Sequence, residues 1–308
     1  MGQKLPIGVQ SFTGLRKDNY LYVDKTEYIY RLTQSGNQFF FIRPRRFGKS
    51  LIISTLKAYW EGKQELFKGL AISELEADRE NAWKEYPVFC FDFNGQNYRN
   101  ENGLEDILDE QLRRWEKEYD VASDGSLGER FRNLLITASQ KKNLGCVVLV
   151  DEYDKPFLDV ADDIGIQEHN KEVFRAFFST LKSFDEYIRF VFITGVTKFH
   201  KVSIFSDLNQ LNDISLNADY SGICGITDEE LRKYFRAEVK ELAETQEISE
   251  NDCLVALKKQ YDGYRFNPNG VSVCVYARTE LNAGNIVSCC SLALFGVHCL
   301  KEAYTSTV

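Results

Sequence analysis

The sequence predicts an α/β fold: a mostly parallel sheet flanked by helices, followed by a small helical lid for which a winged-helix arrangement is an alternative form. Three observations predict it. Short, almost wholly apolar runs recur at residues 38–43 (QFFFIR), 86–93 (YPVFCFDF), 146–150 (CVVLV) and 189–199 (RFVFITGVTKF), as expected for strands covered on both faces. Segments of helical periodicity separate them, and such alternation favours a parallel sheet with helices on both sides. From about residue 226 the pattern changes to charged helical segments without intervening strands.

The elements follow in order. After the first run, GKSLIISTLKAYWEG sets Leu51, Ile52, Thr55, Leu56 and Tyr59 at helical spacing. Two helices with charged outer faces, over 103–119 and 127–142, lie between the second and third runs, and a further helix over 169–184 precedes the fourth. NDISLN (212–217) offers a fifth strand. In the last part Thr227 is placed as an N-cap, because Glu230 sits three residues on. The expected division is a domain over 1–225, a lid over 226–273 and a tail over 274–308. That tail holds Cys274, Cys289, Cys290 and Cys299, four of the eight cysteines. It reads either as out-of-frame sequence or as a divergent end packed on the lid.

The 308 residues are 44% hydrophobic and 27% charged, enough for a full core. A net charge of -8 and a pI near 5.2 argue against binding nucleic acid by bulk electrostatics, although Arg43, Arg45 and Arg46 form a local basic cluster. No stretch approaches the roughly 20 apolar residues of a membrane span, and MGQKLPIGVQ has no apolar signal core. A cytoplasmic location is the expectation. Cys90, Cys146, Cys224 and Cys253 lack metal-ligand spacing, and three histidines are too dispersed to complete a site.

The chemistry concentrates in RPRRFGKSL, residues 43–51. A phosphate-binding loop needs backbone amides that curl around phosphate, a lysine that reaches the outer phosphates and a hydroxyl for magnesium. Gly48, Lys49 and Ser50 match that ending, while Arg43 stands where the first glycine belongs. A lone Gly-Lys-Ser would be weak evidence. Here an apolar strand stops just before the loop and a helix starts at its end, adding its positive pole to an anion site.

The second element is CVVLVDE, four apolar residues followed by the adjacent carboxylates Asp151 and Glu152. Such a pair suits magnesium-assisted phosphoryl transfer, with Asp151 on the metal side and Glu152 orienting or deprotonating water. Asp151 lies 102 residues after Lys49, a separation that suits neighbouring strand ends in an open sheet. The third is Thr194, a hydroxyl where RFVFITG leaves the sheet. It reads either as a group that senses the outermost phosphate or holds the water, or as a β-branched strand residue satisfied by backbone.

Together, IGVQSF (7–12), YVDKT (22–26), RPRRFGKSL, PVFCFDF, VVLVDEYDKP, ITGVTKF, FSDLNQLNDISL and YDGYRF resemble the predicted AAA-ATPase-like family, often bacterial, whose members commonly carry a C-terminal PD-(D/E)XK nuclease domain. The resemblance covers most of residues 5–270 and stops after GYRFNPNGVSV. It implies a P-loop NTPase fold in which the arginine-rich loop is the normal Walker A form. It implies ATP and Mg2+ as ligands, with Arg43, Pro44, Arg45, Arg46, Phe47, Gly48, Lys49, Ser50 and Leu51 around the nucleotide and Ser50 and Asp151 on the metal. Arg45 and Arg46 read either as phosphate contacts in cis or as charges facing a partner or a neighbouring acidic side chain. Lys49, Glu152 and Thr194 are the expected catalytic residues. Arg265 in YDGYRF reads as a nucleotide sensor or as a structural arginine beside tyrosines, and Lys25 in YVDKT as a nucleotide neighbour or a charged turn residue. The leading expectation is a Mg-dependent ATPase acting as a conformational switch. A non-hydrolysing interaction module, and an ATPase subunit of a nucleic-acid-processing system, are the alternatives. A homo-oligomer or a protein partner fits all three readings.

Overall fold

The computed structural model describes residues 3–6, 8–80, 82–198, 211–261 and 264–274. The tail from residue 275, and the FSDLNQ half of FSDLNQLNDISL, lie outside the described residues.

Chain packing forms two compact units. One comprises Thr26–Arg45 and Ile52–Ser215 and contains a five-stranded parallel sheet. Its strands are β1 (Gln38–Ile42), β2 (Val88–Asp92), β3 (Cys146–Asp151), β4 (Ile188–Gly195) and β5 (Asn212–Asp213), in the order β2-β3-β4-β1-β5. The four apolar runs form β1 to β4, and β4 intervenes between β1 and β3. Successive strand side chains point to opposite faces, so Phe39 and Phe41 meet Phe190 and Phe192 on one face, at centroid distances of 5.6 and 6.1 Å. Phe40 meets Tyr153 on the other. All three phenylalanines of β1 are fully buried, each stabilising the fold by about 1.5–3 kcal/mol.

The helices Gly103–Tyr119, Leu127–Lys142 and Ile164–Phe178 close over the Phe40 face. Phe131 and Phe177 stack there at 4.9 Å, with Phe89 and Phe91 edge-on to Phe131. The first two helices have the expected bounds because their ends are chemically marked. Ser126 and Glu129 make a complete capping box, and Asp120 and Asn143 end their helices in left-handed conformation. The third begins at Ile164 rather than His169, because the Asp163 carboxylate accepts the Ile166 amide at 3.1 Å. β5 is shorter than the NDISLN segment. After Asp213 the Ser215 hydroxyl, rather than a strand carbonyl, accepts the Ile42 amide at 3.0 Å and ends the ladder.

The other unit comprises Met1–Lys25, Arg46–Leu51 and the described residues from Leu216 onward. Helices Asp228–Tyr234, Arg236–Thr245 and Glu250–Tyr261 pack Leu231, Phe235, Val239, Leu242, Cys253 and Leu257 together. Leu21 of the N-terminal segment joins that core. Thr227 caps the first helix as its spacing with Glu230 predicts, with both capping-box bonds formed. Strands β6 (Ile226–Thr227) and β7 (Val273–Cys274) pair antiparallel, tying the chain after YDGYRF to the start of the helical segment. No described helix is long and apolar enough to cross a membrane.

Candidate active site

In the sheet unit, three strands end level with one another. Phe41 pairs with Thr194, and Ile42 with Gly195. Val150 pairs with Ile193, which brings Asp151 beside Thr194. The Thr194 hydroxyl donates to Asp151 Oδ1 at 2.7 Å and lies 3.3 Å from the Val150 carbonyl. Both residues are buried. A carboxylate with one oxygen held by a buried hydroxyl has few orientations left, and Oδ2 has no hydrogen-bond donor among the described residues. On β2, Asp92 pairs with Asp151, but its Oδ1 is engaged by Asn94.

Glu152, immediately after β3, has φ 54°. For an L-residue the left-handed region costs on the order of 1–2 kcal/mol, and such strain persists only where its surroundings enforce it. The next two residues supply the enforcement. Tyr153 donates its amide to the Thr194 carbonyl at 2.9 Å and its hydroxyl to the Thr197 carbonyl at 2.8 Å. Asp154, almost fully buried, accepts the Val196 amide at 2.9 Å, the Thr197 amide at 2.6 Å and the Thr197 hydroxyl at 3.0 Å. These bonds end β4 at Gly195 instead of at Phe199. A Cβ on Gly195 would lie 2.5 Å from the Tyr153 ring and 2.8 Å from Asp154, so glycine is required by close approach. The local sequence around Asp154 does not mark this role, which depends on the pairing of DEYD with the TGVT turn.

Arg43 leaves β1 and turns back on it. Its guanidinium donates to the Ser215 carbonyl at 2.6 Å and the Ile42 carbonyl at 2.9 Å, and lies 4.4 Å above the Phe41 ring. It is 1% exposed. Pro44 is half-buried and Arg45 exposed.

The rest of the loop belongs to the helical unit. Arg46 has φ 68° and Gly48 φ 92°, both left-handed, so the arginine adopts a conformation usually left to glycine. Between them Phe47 is buried, its ring edge-on to Tyr264 at 5.0 Å and Phe266 at 5.5 Å. Its carbonyl accepts the Gly225 amide at 3.2 Å. Lys49 is buried and opens the helix Lys49–Trp60, with Ser50 and Leu51 half-buried in its first turn. Arg265, between the two rings that hold Phe47, is exposed. Lys25 resolves differently. Its ammonium donates to the Gly222 carbonyl at 2.7 Å and to Glu230 at 2.6 Å. Burial pulls its pKa down while Glu230 opposes the shift. Lys25 therefore closes on the acid of the Thr227 capping box.

Among the described residues no three His, Cys, Asp or Glu side chains cluster as a metal site. Magnesium does not need such a cluster, since it is usually held by one or two carboxylates and substrate phosphates. Asp151, oriented by Thr194 and with one oxygen without a donor, fits that demand. The cysteines Cys90, Cys146, Cys224 and Cys253 are all free thiols, and burial pushes those of Cys90 and Cys146 up to about 12.

Comparison with known proteins agrees with this architecture. The chain is 36% identical over 271 residues to a protein of Azotobacter chroococcum mcd 1 described as the uncharacterized protein in the vnfD 5' region, an alignment covering 87% of this chain and 50% of that one. The chain thus spans about half the length of that relative. No solved structure matches. The model of the predicted AAA-ATPase family matches residues 6–205, a span that includes the arginine-rich loop, the Asp151–Thr194 pair and the Asp154 clasp, and the chain belongs to that family.

Proposed function

We propose that the protein binds Mg-ATP and hydrolyses it to drive a conformational switch. The observation that carries the reading is the Thr194–Asp151 hydrogen bond, level with the end of the strand from which the Gly-Lys-Ser loop departs. A buried, hydroxyl-oriented carboxylate at that edge of a parallel sheet suits phosphoryl transfer, which is mostly positioning and electrostatics.

In this reading the amides of residues 45–50 cradle phosphate and Lys49 reaches the outer phosphates. Arg45 and Arg46 add charge in cis, and Arg43 anchors the loop through the carbonyls of Ile42 and Ser215. Asp151 and Ser50 would hold magnesium, which when bound neutralises charge on the phosphates. Glu152 orients the attacking water, its backbone held in place by the Tyr153 and Asp154 bonds. Thr194 fixes Asp151. Phe47 gives the loop a route to the helical segment, through the Tyr264 and Phe266 rings and the Gly225 amide, and Arg265, between those two rings in sequence, would respond to bound nucleotide.

The test is calorimetry of Mg-ATP binding by the unmodified chain and by Lys49→Ala, with phosphate release followed in the same samples. Binding that disappears in the variant, with slow but measurable release by the parent, is the expected result. A well-folded parent that binds no Mg-ATP sinks the proposal, and binding without release leaves a nucleotide-sensing module in place of an ATPase.

A further inference from the structure

A cavity lies within the sheet unit, away from the strand ends that carry Asp151 and Thr194. Its walls come from the C-terminal ends of the helices Thr26–Ser35 and Lys49–Trp60, the strap 79–86 that precedes β2, and Arg189 at the start of β4. It therefore sits at the amino-end side of β4, the opposite end from Thr194. Its volume is about 320 Å³, at the lower end of the range for small-molecule sites.

The lining is aromatic and cationic. Tyr59, Trp60, Trp83 and Tyr86 supply the rings, packed mostly edge to face, with Trp60 4.9 Å from Tyr86 and 5.2 Å from Tyr59. The strap is pinned by two features. The Tyr86 amide donates to the Trp60 carbonyl at 2.8 Å, and a Cβ on Gly62, which has φ 70°, would lie 2.7 Å from the Trp83 carbonyl. The walls are thus preformed by backbone contacts.

Arg79, Lys84 and Arg189 supply the charge. Arg79 is answered by the buried carboxylate of Glu76, which also accepts the Tyr59 hydroxyl at 2.6 Å. Lys84 and Arg189 have no carboxylate partner among the described residues; the Arg189 guanidinium lies 5.6 Å from the Trp60 ring centre. Two uncompensated positive charges therefore face one polar cavity. Trp60 is the rigid back wall of the cavity: it is 3% exposed, held between Tyr59, Tyr86 and Phe190.

We infer that this cavity is a binding site for a small anionic ligand that carries a phosphate or carboxylate on a planar ring, with Lys84 and Arg189 taking the anion and Trp83 and Tyr86 the ring. Guanidinium and ammonium groups recognise the oxygens. The half-buried rings of Trp83 and Tyr86 give the ligand ring contact area. Glu76 holds Tyr59 and Arg79 in place from behind.

The test uses phenyl phosphate as the probe on the full chain, read by calorimetry and by tryptophan emission, since Trp60 and Trp83 line the cavity. Binding with a dissociation constant of about 1 mM or below is expected, accompanied by a change in emission. Lys84→Glu, at an exposed position that the core does not need, and Arg189→Gln should each weaken it by at least about tenfold, while Lys49→Ala leaves it unchanged. The absence of binding, or equal binding by both variants, overturns the inference. Loss in Lys49→Ala also overturns it, because the phosphate would then be held by the 43–51 loop. Inorganic phosphate binding as tightly as phenyl phosphate would remove the ring from the proposal, and phenol binding as tightly would remove the anion.

Discussion

The Thr194 hydroxyl donates to Asp151 Oδ1 at 2.7 Å across the β3–β4 pair, and both residues are at most 5% exposed. Neither side chain can reorient without breaking that bond in a buried setting, so the carboxylate is presented in one pose before any ligand arrives. Thr194→Val keeps shape and volume but removes the donor. The expected outcome is a fall in phosphate release of about ten- to hundredfold, corresponding to the roughly 1.5–3 kcal/mol of a hydrogen bond to a charged group. The magnesium concentration for half-maximal ATP binding should rise in parallel. Unchanged turnover and magnesium dependence would show that Thr194 is a strand residue with no part in the site.

Arg130 lies between Glu116 and Asp109 on the helical face of the sheet unit. It donates to Glu116 at 2.7 and 2.9 Å and to Asp109 at 2.6 Å. Burial pushes both carboxyls up, yet the bonds from Arg130, with Ser123 helping at Glu116 and Arg113 at Asp109, bring each below its ordinary value. A depressed folded pKa means that the unfolded chain binds more protons in this range. The stabilisation is therefore complete above the ordinary carboxyl values of 4.5 and 3.8 and is lost as pH falls through the folded ones. Urea midpoints measured from pH 7 to pH 3 should drop at the acid end. Glu116→Gln leaves a buried cation short of a partner and should cost about 3 kcal/mol at pH 7, with a smaller further loss below pH 5. An acid limb of the same size in the variant would refute this account.

Much of the architecture is legible in the sequence because the strands are covered on both faces and so read as unbroken apolar runs. Phe39, Phe40 and Phe41 announce β1 without ambiguity, and Ser126 with Glu129 announces a helix start to the residue. The segment ends are less legible because they depend on distant partners. β4 stops at Gly195 only because Asp154 takes the next two amides, and β5 stops at Asp213 because Ser215 caps Ile42. Among the candidate residues, the motif names Lys49 and Asp151, but nothing local states that Arg43 turns back onto Phe41 or that Lys25 closes on Glu230. Both contacts join residues more than 170 positions apart or a side chain to its own strand, and periodicity carries no record of either.

The loop itself explains how arginines replace glycines. Arg46 and Gly48 both lie at positive φ, 68° and 92°, so the turn needs two left-handed residues and the sequence fills only one with glycine. If the second were there for its backbone, Arg46→Gly would be an improvement: it removes left-handed strain of about 1–2 kcal/mol, offset by up to about 1 kcal/mol of added unfolded-state entropy. On the proposed function the arginine offsets that cost because its charge serves the phosphate. Arg46→Gly should therefore leave the urea midpoint unchanged or slightly raised while Mg-ATP affinity falls about tenfold. Gly48→Ala, by contrast, should lower stability by about 1–2 kcal/mol from backbone strain alone, although no atom lies within 4 Å of the added Cβ. Calorimetry and urea denaturation on the two variants separate conformation from charge, and an Arg46→Gly protein that binds Mg-ATP as tightly as its parent would reduce Arg46 to a turn residue.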